Sequence, residues 1–285
     1  MDTGIEEVSL AMVIADRHAN PRETEEHKQV DPAIGLFRLK QKPDVNIDLD
    51  DRFDLPGLNT KRGASIMGTA AADPDHDLLD EIRAGEESLN AEWSVVEIDN
   101  ERHCRNNHPE RQYTSLNFAG LGNHTDFLAR LGRQHHSMRK LLNVGTVRKI
   151  YERKSYVVGE FLQPILIGGV CFRHYHPGKT RLAAPIDRHF ALNGMSSVSA
   201  HGHEEMVRHY YRADGLRQTC MMVPCSKHPK RLGQGEVSGV TLMRNIRGGQ
   251  FRYEFVGMEE VLQEYRDHLM SQRRKSDASL QAIVG

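Results

Sequence analysis

Apolar positions fall into two regimes along the chain. From Trp93 onward, apolar runs alternate with segments in which apolar residues recur at helical spacing. This pattern predicts strands at 93–98, 147–151, 155–161, 164–173, 217–223 and 239–246, and helices at 124–143, 198–213 and 257–274. The last helix carries Met258, Val261, Leu262, Tyr265 and Leu269 on one face, with Gly257 just before it. The alternation predicts an α/β (α+β) fold with a mixed central sheet flanked by helices. Before residue 91 no sustained period is evident. Acidic Asp48-Leu49-Asp50-Asp51 and Pro21, Pro32, Pro43, Pro56 and Pro74 predict a disordered tail over 1–90, relieved by a short helix from Asp75 to Ala84. The expected organisation is that tail, a domain over 91–275 and a flexible terminus over 276–285.

Composition narrows the class. Of 285 residues, 38% are hydrophobic, and Lys+Arg 38 against Asp+Glu 39 leaves a net charge of −1. No global basic field therefore points to sequence-specific nucleic-acid binding. No run approaches the ~20 apolar residues of a membrane span, and Glu6 and Glu7 stand where a signal peptide would be apolar. Cys104, Cys171, Cys220 and Cys225 read as reduced thiols of a nuclear or cytosolic protein.

The densest motif is Ile167-Gly168-Gly169-Val170-Cys171-Phe172-Arg173, followed by Tyr175-His176 and Lys179. Glycines inside an apolar strand mark a bulge or the close approach of another backbone. The string resembles a central strand of the PCAF-type histone lysine acetyltransferases of the GNAT superfamily. Trp93–Val96, Gly120-Leu121-x-Asn123, Val147–Arg153, Tyr210-Tyr211-Arg212, Val223-Pro224 and Gly239–Met243 follow in that family's order, so the resemblance spans roughly residues 91–270.

The resemblance implies an acetyl-CoA-dependent transfer to a lysine of a histone tail. It further implies a nuclear location and co-activator complex subunits as partners. Its pyrophosphate loop would correspond to Ala191, Leu192, Asn193, Gly194, Met195, Ser196 and Ser197, opening a helix whose bare N–H groups hold the phosphates. Ala184, Pro185 and Ile186 would line the cofactor from the preceding strand, and Met206 and Tyr210 from the following helix. The family's glutamate base falls on Thr180, which cannot take a proton from a lysine. Asp187 and His176 (or His189) are the alternatives. A base-less member acting as a binding module of a chromatin complex is a second expectation.

A third comes from histidine. His174, His176, His189, His201, His203 and His209 crowd one region, and His174-x-His176 has the spacing of a metal-binding pair. Solvated or hydrogen-bonded side chains are the plainer reading of the same residues. Arg273-Arg274-Lys275 suits either a phosphate contact or the end of a helix, where cations complement the dipole.

Overall fold

The computed structural model describes residues 1–55, 77–134, 140, 143–178 and 183–284. Two mixed sheets pack face to face, and helices cover the outer face of the larger one. The larger sheet has the order β11-β10-β1-β2-β3-β4. In it, β1 (Glu7–Ile14), β2 (Val45–Asp48), β3 (Leu116–Gly120) and β4 (Tyr156–Gly159) run parallel, while β10 (Gly239–Arg247) and β11 (Gln250–Gly257) run antiparallel to their neighbours. The smaller has the order β5-β6-β7-β9-β8. Its β6 (Val170–Phe172), β7 (Ser197–Ser199) and β9 (Arg217–Met222) are parallel, with β5 (Ile165–Ile167) and β8 (Met206–Tyr211) antiparallel at the edges.

Three apolar layers hold these elements together. Ala11, Val13, Ile47 and Phe118 of the large sheet meet Ile167, Phe172, Val198 and Met221 of the small one. On the other face, α3 (Leu78–Arg105), α4 (Asn123–Gln134) and α5 (Gly145–Glu152) bury Leu89, Trp93, Leu128, Val147 and Tyr151. Beside them, α2 (Val30–Gln41) and α7 (Met258–Val284) bury Ile34, Phe37, Val261 and Leu262 against β1 and β10. Ions are buried here too. Glu92 of α3 takes hydrogen bonds from Arg38 of α2 and Arg52, and Arg52 also reaches Asp48 Oδ2 at 2.9 Å. Each carboxylate thus has its guanidinium, without which the desolvation of either charge would be prohibitive.

The mixed α/β class expected from the sequence holds, and several element assignments change. The segment expected to be a disordered tail supplies β1, between β10 and β2 in the large sheet, together with α2 and β2. A strand covered on both faces reads as a continuous apolar run rather than an alternation, so Ala11–Ile14 gives no period to detect. Residues 93–98 lie inside α3 and 147–151 inside α5, where Leu89, Trp93 and Val96, and Val147, Ile150 and Tyr151, recur at helical spacing. The helix expected over 198–213 is instead β7, a loop and β8. Gly215, at φ +80°, belongs to the β8–β9 hairpin turn. The Gly168-Gly169 pair makes a tight turn at which Gly249 approaches so closely that a Cβ on Gly169 would stand 2.6 Å from Gly249 N. The helix α7 continues to Val284 rather than ending near 274. Among the described residues no helix is long and apolar enough to cross a membrane.

Candidate metal centre

Five parallel strands end at one place, and each runs directly into Asp, Asn or His. After β1 come Asp16 and His18, and after β2 come Asp50, Asp51 and Asp54. After β3 come Asn123 and His124, after β6 comes His174, and after β7 come His201 and His203. Carboxyl ends of parallel strands are where open sheets place ligands, because the loops there are free to carry polar side chains. Backbone bonds align the first two loops: Asp16 N–H donates to Asp50 O at 2.8 Å and His18 N–H to Asp51 O at 2.9 Å. Asp50 ties in α4, accepting from Gly122 N at 2.8 Å and from Thr125 Oγ1 at 2.6 Å. Gly122 is obligatory at that contact, since a Cβ would stand 2.1 Å from Asp51 Oδ1.

Backbone strain gathers here. Asp16, His18, Asp50, Asp51, His201 and His203 all have positive φ, between 47° and 71°. Non-glycine residues hold this conformation at a cost of order 1 kcal/mol each and concentrate at functional sites.

The ring nitrogens are ordered by acceptors behind them. His18 Nδ1 lies 3.1 Å from Asp54 Oδ1, His203 Nδ1 lies 2.6 Å from Glu236 Oε1, and His174 Nδ1 lies 2.7 Å from Leu49 O. Each contact calls for an Nδ1–H donor, so each Nε2 faces the centre. There His18 Nε2 and His203 Nε2 are 3.1 Å apart, and His174 Nε2 stands 3.1 Å from Asp51 Oδ2 and 2.9 Å from Asn123 Oδ1. The amide orientation that satisfies this position has Asn123 Nδ2 donating to His201 Nδ1 at 2.8 Å, to Asp51 Oδ2 at 3.2 Å and to His174 Nε2 at 2.9 Å. Asp16 Oδ1 is fully buried and has no hydrogen-bond donor among the described residues; His203 Nε2 and His18 Nε2 are 3.5 and 3.8 Å away. Two adjoining groups result, Asp16–His18–His203 and Asp51–His174–His201 with Asn123 beside it, and a third, His18–Asp54–His124, shares His18 with the first. The first two are linked where His201 N–H donates to Asp16 Oδ2 at 2.8 Å.

Electrostatics carry the same message. Burial would raise Asp16, but His203 and His174 outweigh it and pull it to about 2. Burial would likewise raise Asp51, yet His174 and His124 hold it well below the carboxylate range. Burial would lower His174, but Asp51 and Asp16 push it up to about 10. Two buried carboxylates call for positive charge at this point, and without a cation the histidines supply it as protons.

A cleft of about 400 Å³ opens onto these groups, lined by His18, Asp51, Asp54, His124, His201, His203 and Glu236, with Lys227 and Arg231 at its wall. His124 sits at the start of α4. Its Nδ1 is hydrogen-bonded to Asp54 O, and its Nε2 is 3.9 Å from Asp51 Oδ2.

Residues singled out from sequence divide between this centre and elsewhere. His174, His201 and His203 belong to it. His176 and His189 form a separate buried pair with ring centroids 4.5 Å apart, and His176 Nδ1 accepts from Asn193 Nδ2 at 3.1 Å. Thr180 lies outside the described residues. Asp187 is exposed and accepts from Arg208 Nε at 2.8 Å, and Tyr210 stacks on Phe190 beside it. Ala184 and Ile186 are buried, while Pro185, Ala191 and Leu192 are exposed. The segment 191–197 opens no helix. Gly194 ends the five-residue α6 (His189–Asn193) at φ +65°, Met195 follows, and Ser196 and Ser197 lead into β7. Two of its N–H groups are already engaged, Gly194 with Phe190 O at 2.7 Å and Ser196 with Gln218 Oε1 at 2.6 Å. Met206 lies on β8, an edge strand rather than a helix lining a cofactor.

Sequence reasoning assigned no site role to Asp16, His18, Asp51, Asp54, Asn123 or His124. The available signal was a repeated one: a short apolar run entering Asp, Asn or His within three residues, five times over. No family model matches the chain, and no curated protein matches it.

Proposed function

We propose that this chain is a hydrolase of phosphoester bonds that works with two adjacent divalent cations. The observation that carries the reading is the convergence, in a strained and buried setting, of carboxylate oxygens and imidazole nitrogens that can ligate a cation. They are Asp16 Oδ1, Asp51 Oδ2 and the Nε2 atoms of His18, His174 and His203. In buried surroundings such atoms repel one another unless a proton or a cation lies among them, and a divalent cation satisfies several at once. The donors are imidazole, carboxylate and amide without thiolate, a set suited to Mn²⁺, Fe²⁺ or Zn²⁺.

Paired cations of this kind supply Lewis acidity to phosphoryl oxygens and activate water near neutral pH. The chain's own residues supply the rest. Asp51 and Asn123, fixed by Gly122 and α4, hold the reacting group against one wall. Lys227 and Arg231 bring positive charge to a wall that an anionic ester would approach. His124, with Nδ1 committed to the Asp54 carbonyl, presents Nε2 to the cleft and can give a proton to the leaving oxygen.

The test is hydrolysis of p-nitrophenyl phosphate and bis(p-nitrophenyl) phosphate by the full chain, stripped with chelator and reloaded with Mn²⁺. Cleavage of either ester that returns only with metal, and is lost in His174→Ala, is the expected result. The same preparation titrated with acetyl-CoA examines the acetyltransferase proposal that the sequence resemblance raised. Binding of acetyl-CoA without metal-dependent hydrolysis would favour that proposal over this one.

A further inference from the structure

We infer that the two halves of the centre are unequal, and that Glu236, clamped by Lys227, makes Asp16–His18–His203 the tighter cation subsite. The inference rests on the two-cation reading above. A carboxylate that accepts the Nδ1–H of a ligating imidazole raises its basicity and fixes its ring, more strongly than a neutral carbonyl does. The two halves differ in this respect. His18 is backed by Asp54 at 3.1 Å and His203 by Glu236 at 2.6 Å. In the other half, His174 is backed by the Leu49 carbonyl and Asn123 is an uncharged amide. The first half also holds the unpartnered Asp16 Oδ1.

Glu236 lies in the loop before β10, where no helix or strand fixes it. Its orientation comes from two donors to one oxygen: Lys227 Nζ at 2.5 Å and Gly233 N at 2.7 Å both reach Oε2. Oε1 is thereby left for His203. Lys227 Nζ has that carboxylate as its ion-pair partner, and its side chain is only 10% exposed. Glu236 is therefore a positioning residue that acts on the cation through His203.

The test is calorimetric titration of Mn²⁺ into the chelator-treated full chain. Two binding steps are expected for the wild type, with His174→Ala removing the weaker. Glu236→Ala should weaken the tighter step by about 10–100-fold, while the weaker step stays as it is and circular dichroism shows the metal-free protein still folded. Lys227→Met keeps the carboxylate but releases it, and should weaken the same step by a smaller factor. If both variants leave the tighter step unchanged, or weaken both steps equally, the inference is overturned. A wild type that binds no Mn²⁺ overturns the two-cation reading itself.

Discussion

His18 Nε2 and His203 Nε2 face each other at 3.1 Å although 185 residues separate them in the chain. Each ring has its other nitrogen committed, one to Asp54 and one to Glu236, so two lone pairs point into the same small volume. The fold spends strained backbone at both positions, φ +47° and +54°, to hold them there. A proton on one Nε2 makes this contact a hydrogen bond, and the cation proposed above would take that proton's place.

The His124 imidazole is placed to protonate a leaving group, so its removal should depend on what leaves. His124→Ala should lower kcat by about 10²–10⁴-fold for an alkyl phosphoester. It should have a much smaller effect on a p-nitrophenyl ester, whose leaving oxygen needs no proton. Mn²⁺ stoichiometry should be unchanged. Equal losses on both esters would contradict the acid role.

Gly122→Ala puts a methyl group 2.1 Å from Asp51 Oδ1 and 2.9 Å from Asp51 N. Asp51 must move, and the Asp51–His174–His201 half should lose its cation while the other half retains one. Calorimetry on the variant would show a single remaining step. Two undisturbed steps would mean that Asp51 is not a ligand.

The buried ion network makes a statement about acid stability. Burial would raise Glu92, but Arg38 and Arg52 outweigh it and hold it below its ordinary 4.5. A carboxylate with a depressed folded-state pKa contributes stability that is fully present above its unfolded value and lost as pH falls through the folded one. Glu92→Gln removes a charge partner from two buried guanidinium groups and should cost about 3–5 kcal/mol at pH 7. Melting curves of wild type and variant should converge as pH drops below about 4.5. A constant gap between pH 7 and pH 3 would show that the ion pairs do not carry the stability.

Removing residues 1–20 should leave the chain unfolded, because β1 pairs with β10 on one side and β2 on the other and supplies Asp16 and His18. Orphaning two rows of backbone hydrogen bonds in the sheet interior is far costlier than losing a solvated tail. Far-ultraviolet circular dichroism of the truncated chain checks this. A native spectrum would contradict the assigned topology.

Legibility in the sequence followed exposure. The edge-to-core patterns of β4, β9, β10 and the amphipathic α7 could be read from residue spacing. The buried strand β1 could not, because both its faces are covered and its composition alternates with nothing. Trp93–Val96 read as strand because four residues cannot distinguish periods, and only the spacing back to Leu89 reveals the helix. At the centre, His174, His201 and His203 were visible as a crowd of histidines. Their carboxylate and amide partners lie 51 to 187 positions away in sequence order and meet only through strand pairing, as with His174 and Asn123 or His203 and Asp16. The acidic run at Asp48–Asp51 read as solvated because charge density in a short segment ordinarily signals exposure. Here it marks the end of a fully buried strand.

The most direct test is the number of divalent cations each chain holds. The full chain, loaded with Mn²⁺ and passed through a desalting column, is analysed for metal by plasma mass spectrometry against protein concentration. Two ions per chain in the wild type are expected, falling to one or none in a variant combining Asp16→Asn and His203→Ala. A wild type that retains no metal, while binding acetyl-CoA or nothing at all, would contradict the account.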